Sequence, residues 1–152
     1  MLFDVIHGPS RHLSWHELAC HDEARTPYPF EWRADRAAVL GMTFEVVRTL
    51  LGDVPLVVLS GYRTEAYNSH LEGAASKSQH VQGRAVDLCH PRLAPLEMFR
   101  TIRAAHRLGT LPLLGGLGLY KTFVHIDVRP KTNGHLALWA GAGVTLPPDV
   151  TL

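Results

Sequence analysis

The stretch SQHVQGRAVD, residues 78–87, is the part of the chain that most strongly determines its interpretation. It places His80 before a glycine turn and Asp87 seven residues later, within the short apolar run GRAVDLC, which predicts a strand. An unpaired carboxylate on a buried strand is costly, and coordination of a cation removes that cost. His80 and Asp87 are therefore candidate metal ligands.

A second apolar run, FVHIDV at 123–128, supplies another histidine, His125. Side chains alternate along a strand, so Asp127 should share a face with His125. Two histidines and one carboxylate are the protein ligands of a typical catalytic zinc, and they leave a fourth position for water. Spacing alone also allows each residue to be an ordinary packed or turn residue, forming a structural hydrogen-bond cluster without metal.

The rest of the chain predicts helices and strands in alternation. Ser14 and Glu17 form a capping-box pattern at the start of a short helix. Apolar periodicity predicts amphipathic helices over 33–51 and 95–108, a buried strand over 55–60, a long loop over 64–83 with a short helix near 65–71, and a hairpin over 115–129. This order predicts an α+β domain with a central, mainly antiparallel sheet flanked by helices.

Composition limits the classes of partner. The 152 residues predict one domain, residues 1–152, with a core over about 12–140 and a loosely structured tail over 141–152. A net charge of +1 gives no electrostatic case for nucleic acid or an anionic membrane. No apolar run reaches the roughly 18 residues of a membrane span. For a small cleft protein, a monomer is the default expectation.

The N-terminal stretch MLFDVIHGPSRH lacks the features of a signal peptide. The location is therefore left open between a protein that is cytoplasmic as made, with phage-type release, and one exported to the periplasm or cell wall by another route. Cys20 and Cys89 are expected to be free thiols. No glycine-rich phosphate-binding motif supports a cofactor other than zinc.

Four separated motifs resemble the D-Ala-D-Ala carboxypeptidase family of zinc peptidases, whose fold is shared by hedgehog signalling domains. The motifs are SGYR at 60–63, YN at 67–68, GAASKSQHVQGRAVD at 73–87 and FVHIDVR at 123–129. The opening HLSWHELAC…YPFEWR resembles the branch that contains small stand-alone and phage-type enzymes. The resemblance spans roughly residues 12 to 130, with the motifs in the expected order.

The resemblance implies that His80, Asp87 and His125 bind Zn²⁺ and that Arg63 meets the substrate. A guanidinium suits that role, because it can polarise a scissile carbonyl or hold a terminal carboxylate. The general base has no match, since residues 118–124 contain no carboxylate. Asp127 is the nearest acid, and two roles stay open for it: proton acceptor, or orienting group for a ligand or for Arg129.

Two further residues near the motif receive weaker predictions. Cys89 should share a strand face with Asp87, which makes it a minor candidate ligand. Ser78 is expected to support His80 or Asp87 and not to act as a nucleophile, because no Ser-His-Asp arrangement surrounds it.

The implied function is zinc-dependent hydrolysis of peptide bonds in peptidoglycan stem peptides or crosslinks. The enzyme would be a D,D- or L,D-carboxypeptidase or an endopeptidase, as in a phage endolysin, and it would use metal-activated water. The alternative is a zinc-bearing module that binds or recognises the cell wall without hydrolytic activity, as the hedgehog resemblance allows.

Overall fold

One five-stranded sheet forms the centre of the computed structural model, which describes residues 7–71, 73–75 and 77–151. The strands are β1 Val57–Ser60, β2 Ala85–Cys89, β3 Gly116–Leu119, β4 Val124–Asp127 and β5 Ala137–Ala140. Their order across the sheet is β1-β2-β4-β3-β5, and only the β3–β5 pair is parallel. The predicted α+β class with a mainly antiparallel sheet is confirmed.

Five α-helices accompany the sheet in the described part of the chain. They are α1 Trp15–Leu18, α2 Ala38–Leu50, α3 Glu65–Ser69, α4 Pro95–Arg107 and α5 Pro148–Thr151. The predicted capping box is present in α1, where the Ser14 hydroxyl accepts from the Glu17 amide and the Glu17 carboxylate accepts from the Ser14 amide. Among the described residues, no helix is both long and apolar enough to cross a bilayer.

The helix predicted from residue 33 starts later than its apolar pattern suggests. A 3₁₀ turn at Phe30–Trp32 leads into a π-helical turn at Arg33–Ala37, and regular α-helix begins at Ala38. Turns of these kinds share the helical spacing of apolar residues, so periodicity does not separate them from an α-helix. These turns carry Trp32 and Arg36, whose side chains lie against Gly83 and Gln82.

The hydrophobic core lies between one face of the sheet and helices α2 and α4. Its fully buried side chains include Leu40, Phe44, Leu88, Phe99, Ile102, Leu117 and Ile126. Burying each of these side chains contributes roughly 1.5–3 kcal/mol to folding. The apolar residues of the strands face this core, so the alternate residues of the same strands form the opposite, polar face.

Strand β1 differs from the prediction of a buried strand. It is the edge of the sheet, and the exposed fractions of Val57 and Leu59 are 55% and 40%. Its register with β2 shifts between Val58 and Ser60. A short apolar run does not distinguish a central strand from an edge strand, because that depends on which other strands pair with it.

The C-terminal segment packs more closely than its proline- and glycine-rich sequence suggests. Val150 is buried, and its carbonyl accepts a hydrogen bond from Arg103 Nε at 3.1 Å. Asp149 pairs with Arg100 on the surface of α4. One buried apolar side chain and three arginines of α4, Arg100, Arg103 and Arg107, thus hold α5, an interaction between distant segments that local composition does not reveal.

Candidate metal centre and cleft

The register of the sheet aligns one row of residues across its polar face. Ser60 lies opposite Asp87, Asp87 opposite His125, His125 opposite Gly118, and Gly118 opposite Trp139. Side chains that lie opposite each other on neighbouring strands have Cβ atoms about 4.5–5.5 Å apart. Pairing of β2 with β4 therefore brings together two polar residues that are 38 positions apart in the chain.

The three predicted metal ligands meet at this row. His80 enters from the turn before β2, with Nε2 at 3.1 Å from Asp87 Oδ1, while His125 Nδ1 lies 3.0 Å from the same oxygen. One ligand atom from each residue lies within 4.8 Å of the others, and all three residues are buried. Within the described residues this is the one such group that could hold a metal ion.

The remaining nitrogen of each histidine is hydrogen-bonded to a protein oxygen. His80 Nδ1 donates to the Gly61 carbonyl at 2.7 Å, and His125 Nε2 donates to Asp127 Oδ2 at 2.8 Å. Zinc-binding histidines typically donate their second N–H to a carbonyl or carboxylate in this way. The two nitrogens directed at Asp87, His80 Nε2 and His125 Nδ1, are the ones that a cation would bind in place of a proton. This set of two nitrogens and one carboxylate fits zinc.

The protonation states of Asp87 and His80 suit a bound cation. Burial alone would raise the pKa of Asp87, but the charges and hydrogen bonds of His80 and His125 outweigh it and hold that pKa below its ordinary value. Burial lowers the pKa of His80, so its imidazole is neutral near pH 7. Burial alone would also lower the pKa of His125, but its hydrogen bonds to Asp127 and Asp87 outweigh burial and raise that pKa, so a bound cation would have to displace a proton from His125. Metal ligands must be deprotonated, so an anionic carboxylate and a neutral imidazole are the binding forms.

Asp127 lies behind His125, on the side of the ring away from Asp87. It has no exposed surface, and its two oxygens accept from His125 Nε2, from Arg129 Nε and Nη2, and from the Arg129 amide. Burial alone would raise its pKa, but the hydrogen bonds from His125 and Arg129 lower the pKa to about 2. Gly116 lies opposite, where a Cβ would collide with the Asp127 carboxylate.

Of the two roles left open for Asp127, this environment favours the orienting one. Its oxygens are engaged by His125 and Arg129, and the His125 ring separates it from the other two predicted ligands. A proton acceptor must come within hydrogen-bond reach of the water that it activates, directly or through one further water. A carboxylate that holds the second nitrogen of a metal-binding histidine fixes the orientation of the ring instead.

Arg63 lies at the rim of the cluster and is mostly buried. Its Nη2 is 3.3 Å from Asp87 Oδ2, its Nε donates to Ser60 Oγ at 3.0 Å, and its Nη1 donates to Asn68 Oδ1 at 3.3 Å. Asn68 is buried on α3 and also donates to the Ala75 carbonyl at 2.9 Å. Asn68 is the second residue of the YN motif, from which no role was predicted for it.

A cleft of about 470 Å³ opens above the cluster. Its wall combines aromatic rings and cations: Tyr120, Phe123 and Trp139, with Arg63, Lys77 and Arg129. The Trp139 ring lies 5.0 Å from the His125 ring, and Trp139 Nε1 donates to the Tyr120 hydroxyl at 2.9 Å. Among the described lining residues Asp87 is the only carboxylate.

The two weaker predictions have different outcomes. Cys89 is a free thiol outside the cluster, and its Sγ donates to the Thr122 carbonyl at 3.1 Å. Ser78 is buried, and its Oγ accepts from the His80 amide at 3.2 Å, which is the supporting contact expected of it. Cys20 is also a free thiol, as predicted.

Comparison with known proteins gives one informative match. The family model described as Peptidase M15 matches residues 11–127, a range that runs from the segment before α1 to the end of β4 and contains every residue of the cluster. No individual curated protein matches the chain significantly.

Proposed function

Because the chain belongs to the Peptidase M15 family, whose members are in general zinc-dependent, we propose that it hydrolyses peptide bonds in the stem peptides or crosslinks of peptidoglycan. The observation that carries the proposal is the buried group of His80, Asp87 and His125 at the floor of a cation-lined cleft. Zinc, when bound, supplies Lewis acidity and lowers the pKa of water at the open coordination position.

In this proposal the zinc ligands are His80 Nε2, His125 Nδ1 and the carboxylate of Asp87. The support is that both histidines donate their second N–H to protein oxygens, which fixes each tautomer and ring orientation. Asp127 acts through His125, as a positioning residue. The two nitrogens and one oxygen then converge without further rearrangement of the ring tautomers.

Arg63 is proposed to contact the substrate beside the ligands. Its guanidinium is held by Ser60, Asn68 and Asp87 at the edge of the cleft. A fixed, always-charged donor at that position suits either the carbonyl oxygen of the scissile bond or a terminal carboxylate of the peptide. The cations Lys77 and Arg129 extend the same positive lining, which fits the carboxylate-bearing stem peptides of the wall.

A second candidate function is a zinc-bearing module that recognises the wall without cleaving it. One observation favours it: among the described residues that line the cleft, no carboxylate other than the proposed ligand Asp87 is available to accept a proton. General-base assistance typically contributes 10²–10⁴-fold to a hydrolytic rate, so its absence would leave a slow enzyme or none.

Digestion of purified peptidoglycan tests the two functions. Chelator-stripped protein is incubated with the wall, with and without added zinc, and the soluble products are identified by mass. Zinc-dependent loss of terminal D-alanine would identify a carboxypeptidase, and zinc-dependent conversion of crosslinked dimers to monomers would identify an endopeptidase. If the protein binds one zinc per chain and cleaves no peptidoglycan, the result would support the recognition module and contradict the enzyme.

A further inference from the structure

The segment that follows α1 reaches the backbone between two of the proposed ligands. The ligand turn, residues 81–84, connects His80 to the strand that carries Asp87. The Tyr28 hydroxyl donates to the Gly83 carbonyl at 2.6 Å, and Arg36 Nη1 donates to the Gln82 carbonyl at 2.8 Å. Two side chains from one short segment therefore bind consecutive carbonyls of the ligand turn.

The contact on Gly83 is close as well as polar. Gly83 is buried with φ at +69°, and a Cβ there would come within 2.9 Å of the Tyr28 hydroxyl and 2.8 Å of the Trp32 ring. A side chain at this position would be strained by the backbone conformation and would also push the rings away. The aromatic rings therefore pack directly against the turn.

Tyr28 is itself held in place by its neighbours. It is buried, and the Trp32 and Tyr62 rings pack edge-on against it with centroids at 6.4 and 6.0 Å. The Arg36 guanidinium stacks on Trp32 at 4.0 Å from the ring centroid. Burial raises the pKa of the Tyr28 hydroxyl above its ordinary value, so the hydroxyl remains a proton donor throughout the neutral range.

From these contacts we propose that Tyr28 and Arg36 are positioning residues for the metal centre, acting through the ligand turn. The inference rests on the proposed assignment of His80 and Asp87 as zinc ligands. The His80 carbonyl accepts from the Gly83 amide within this turn, so fixing the carbonyls of Gln82 and Gly83 fixes the backbone from which the His80 ring projects. The side chains thereby set where His80 Nε2 lies relative to Asp87.

The competing explanation is that this segment only fills space beneath the turn. In that case removal of the Tyr28 hydroxyl would lower the stability of the fold and leave zinc affinity unchanged. Tyr28→Phe separates the two explanations, because phenylalanine keeps the ring and its packing and removes only the donor to Gly83. Tyr62→Phe is the matched control, since it removes the same atom from a ring that packs on Tyr28.

The experiment measures zinc affinity of the full chain by competition with a chromophoric chelator, and the absorption spectrum of the Co²⁺-substituted protein. Loss of a group that holds a metal ligand from outside typically weakens binding about 10–100-fold, and we expect the lower end of that range for Tyr28→Phe. The Co²⁺ bands should also shift. Tyr62→Phe should bind zinc within about twofold of the wild type, on the same scale.

Arg36→Gln supplies a second, independent measurement. Arg36 is only half-buried, so we expect this variant to fold. It should weaken zinc binding several-fold, less than Tyr28→Phe. Equal affinities for wild type, Tyr28→Phe and Arg36→Gln would overturn the inference, as would equal losses in Tyr28→Phe and Tyr62→Phe. A wild type that binds no zinc would overturn it together with the proposed metal site.

Failure of the proposed function has a different signature. A wild type that binds zinc but cleaves no peptidoglycan would remove the enzymatic proposal, yet the comparison of zinc affinities would still decide the role of Tyr28 and Arg36.

Discussion

The two sides of the candidate metal centre are held in different ways. On the sheet side, Asp87 and His125 lie on neighbouring strands, and backbone pairing sets their separation. On the turn side, His80 projects from an irregular segment: its ring donates one hydrogen bond to Gly61, and Tyr28 donates one to the ligand turn. Strand pairing distributes the restraint over many bonds, whereas the turn concentrates it in a few side chains. Zinc binding should therefore depend on single side chains around the turn, and mainly on backbone pairing together with Asp127 on the sheet side.

The largest expected effect comes from removing one ligand from each side. His80→Ala and His125→Ala should each weaken zinc binding by about 100- to 1,000-fold, if three ligands share a binding energy of roughly 10 kcal/mol. Chelator competition measures the affinities, and His135→Ala, at an exposed histidine, is the control. Wild-type zinc affinity in His80→Ala would show that the turn supplies no ligand. The metal would then be held by the sheet side alone.

Asp127→Asn tests how the sheet side orients its histidine. The amide would present a different pattern of donor and acceptor to His125 Nε2, so we expect zinc affinity to fall about 10–100-fold and cleavage to fall with it. Zinc titration and muropeptide digestion are run on the same preparation. Unchanged zinc affinity with abolished cleavage would identify Asp127 as the proton acceptor instead.

Gly116→Ala places strain on the sheet side without changing a ligand. A methyl group there would collide with the buried Asp127 carboxylate, and overpacking of this kind typically costs about 1–3 kcal/mol. Urea denaturation of the zinc-free protein should show a free energy of unfolding reduced by that amount. An unchanged midpoint would mean that the strands relax easily, which contradicts a rigid sheet side.

The smallest expected effect concerns Arg63, whose guanidinium contacts Asp87 and whose amide donates to the His80 carbonyl. Asn68→Ala removes one acceptor of its guanidinium, and the loss of one hydrogen bond corresponds to roughly a 3- to 10-fold rise in KM. Zinc affinity should stay at the wild-type value. Ser69→Ala, at the adjacent exposed position of α3, is the control. A loss of zinc in Asn68→Ala would mean that Asn68, through Arg63 or through its hydrogen bond to Ala75, supports the metal centre itself.

The sequence predicted the sheet side better than the turn side, for a physical reason. Strand alternation put Asp127 on the same face as His125, and the apolar runs located β2 and β4. The contacts of Tyr28 and Arg36 with the ligand turn join residues 55 and 46 positions apart and follow no period. Nothing in the local sequence marks such bonds, because they depend on how distant segments pack.

The edge position of β1 and the packing of α5 were missed for a similar reason. Val57 and Leu59 belong to an apolar run, and exposure followed only from the absence of a further strand beside β1 in the described sheet. Likewise, the burial of Val150 depends on α4. The motifs sufficed to select the three cluster residues, whereas the surroundings of Asp127 required the register of β3 with β4.

X-ray absorption at the zinc edge of the loaded protein tests the assignment of the metal ligands. We expect two imidazoles and an oxygen shell at about 2.0–2.1 Å, with one imidazole lost in either His80→Ala or His125→Ala and none lost in His135→Ala. Sulfur scattering at about 2.3 Å would contradict the assignment of His80, Asp87 and His125 as the metal centre. Spectra of both ligand variants that match the wild-type spectrum would contradict it too.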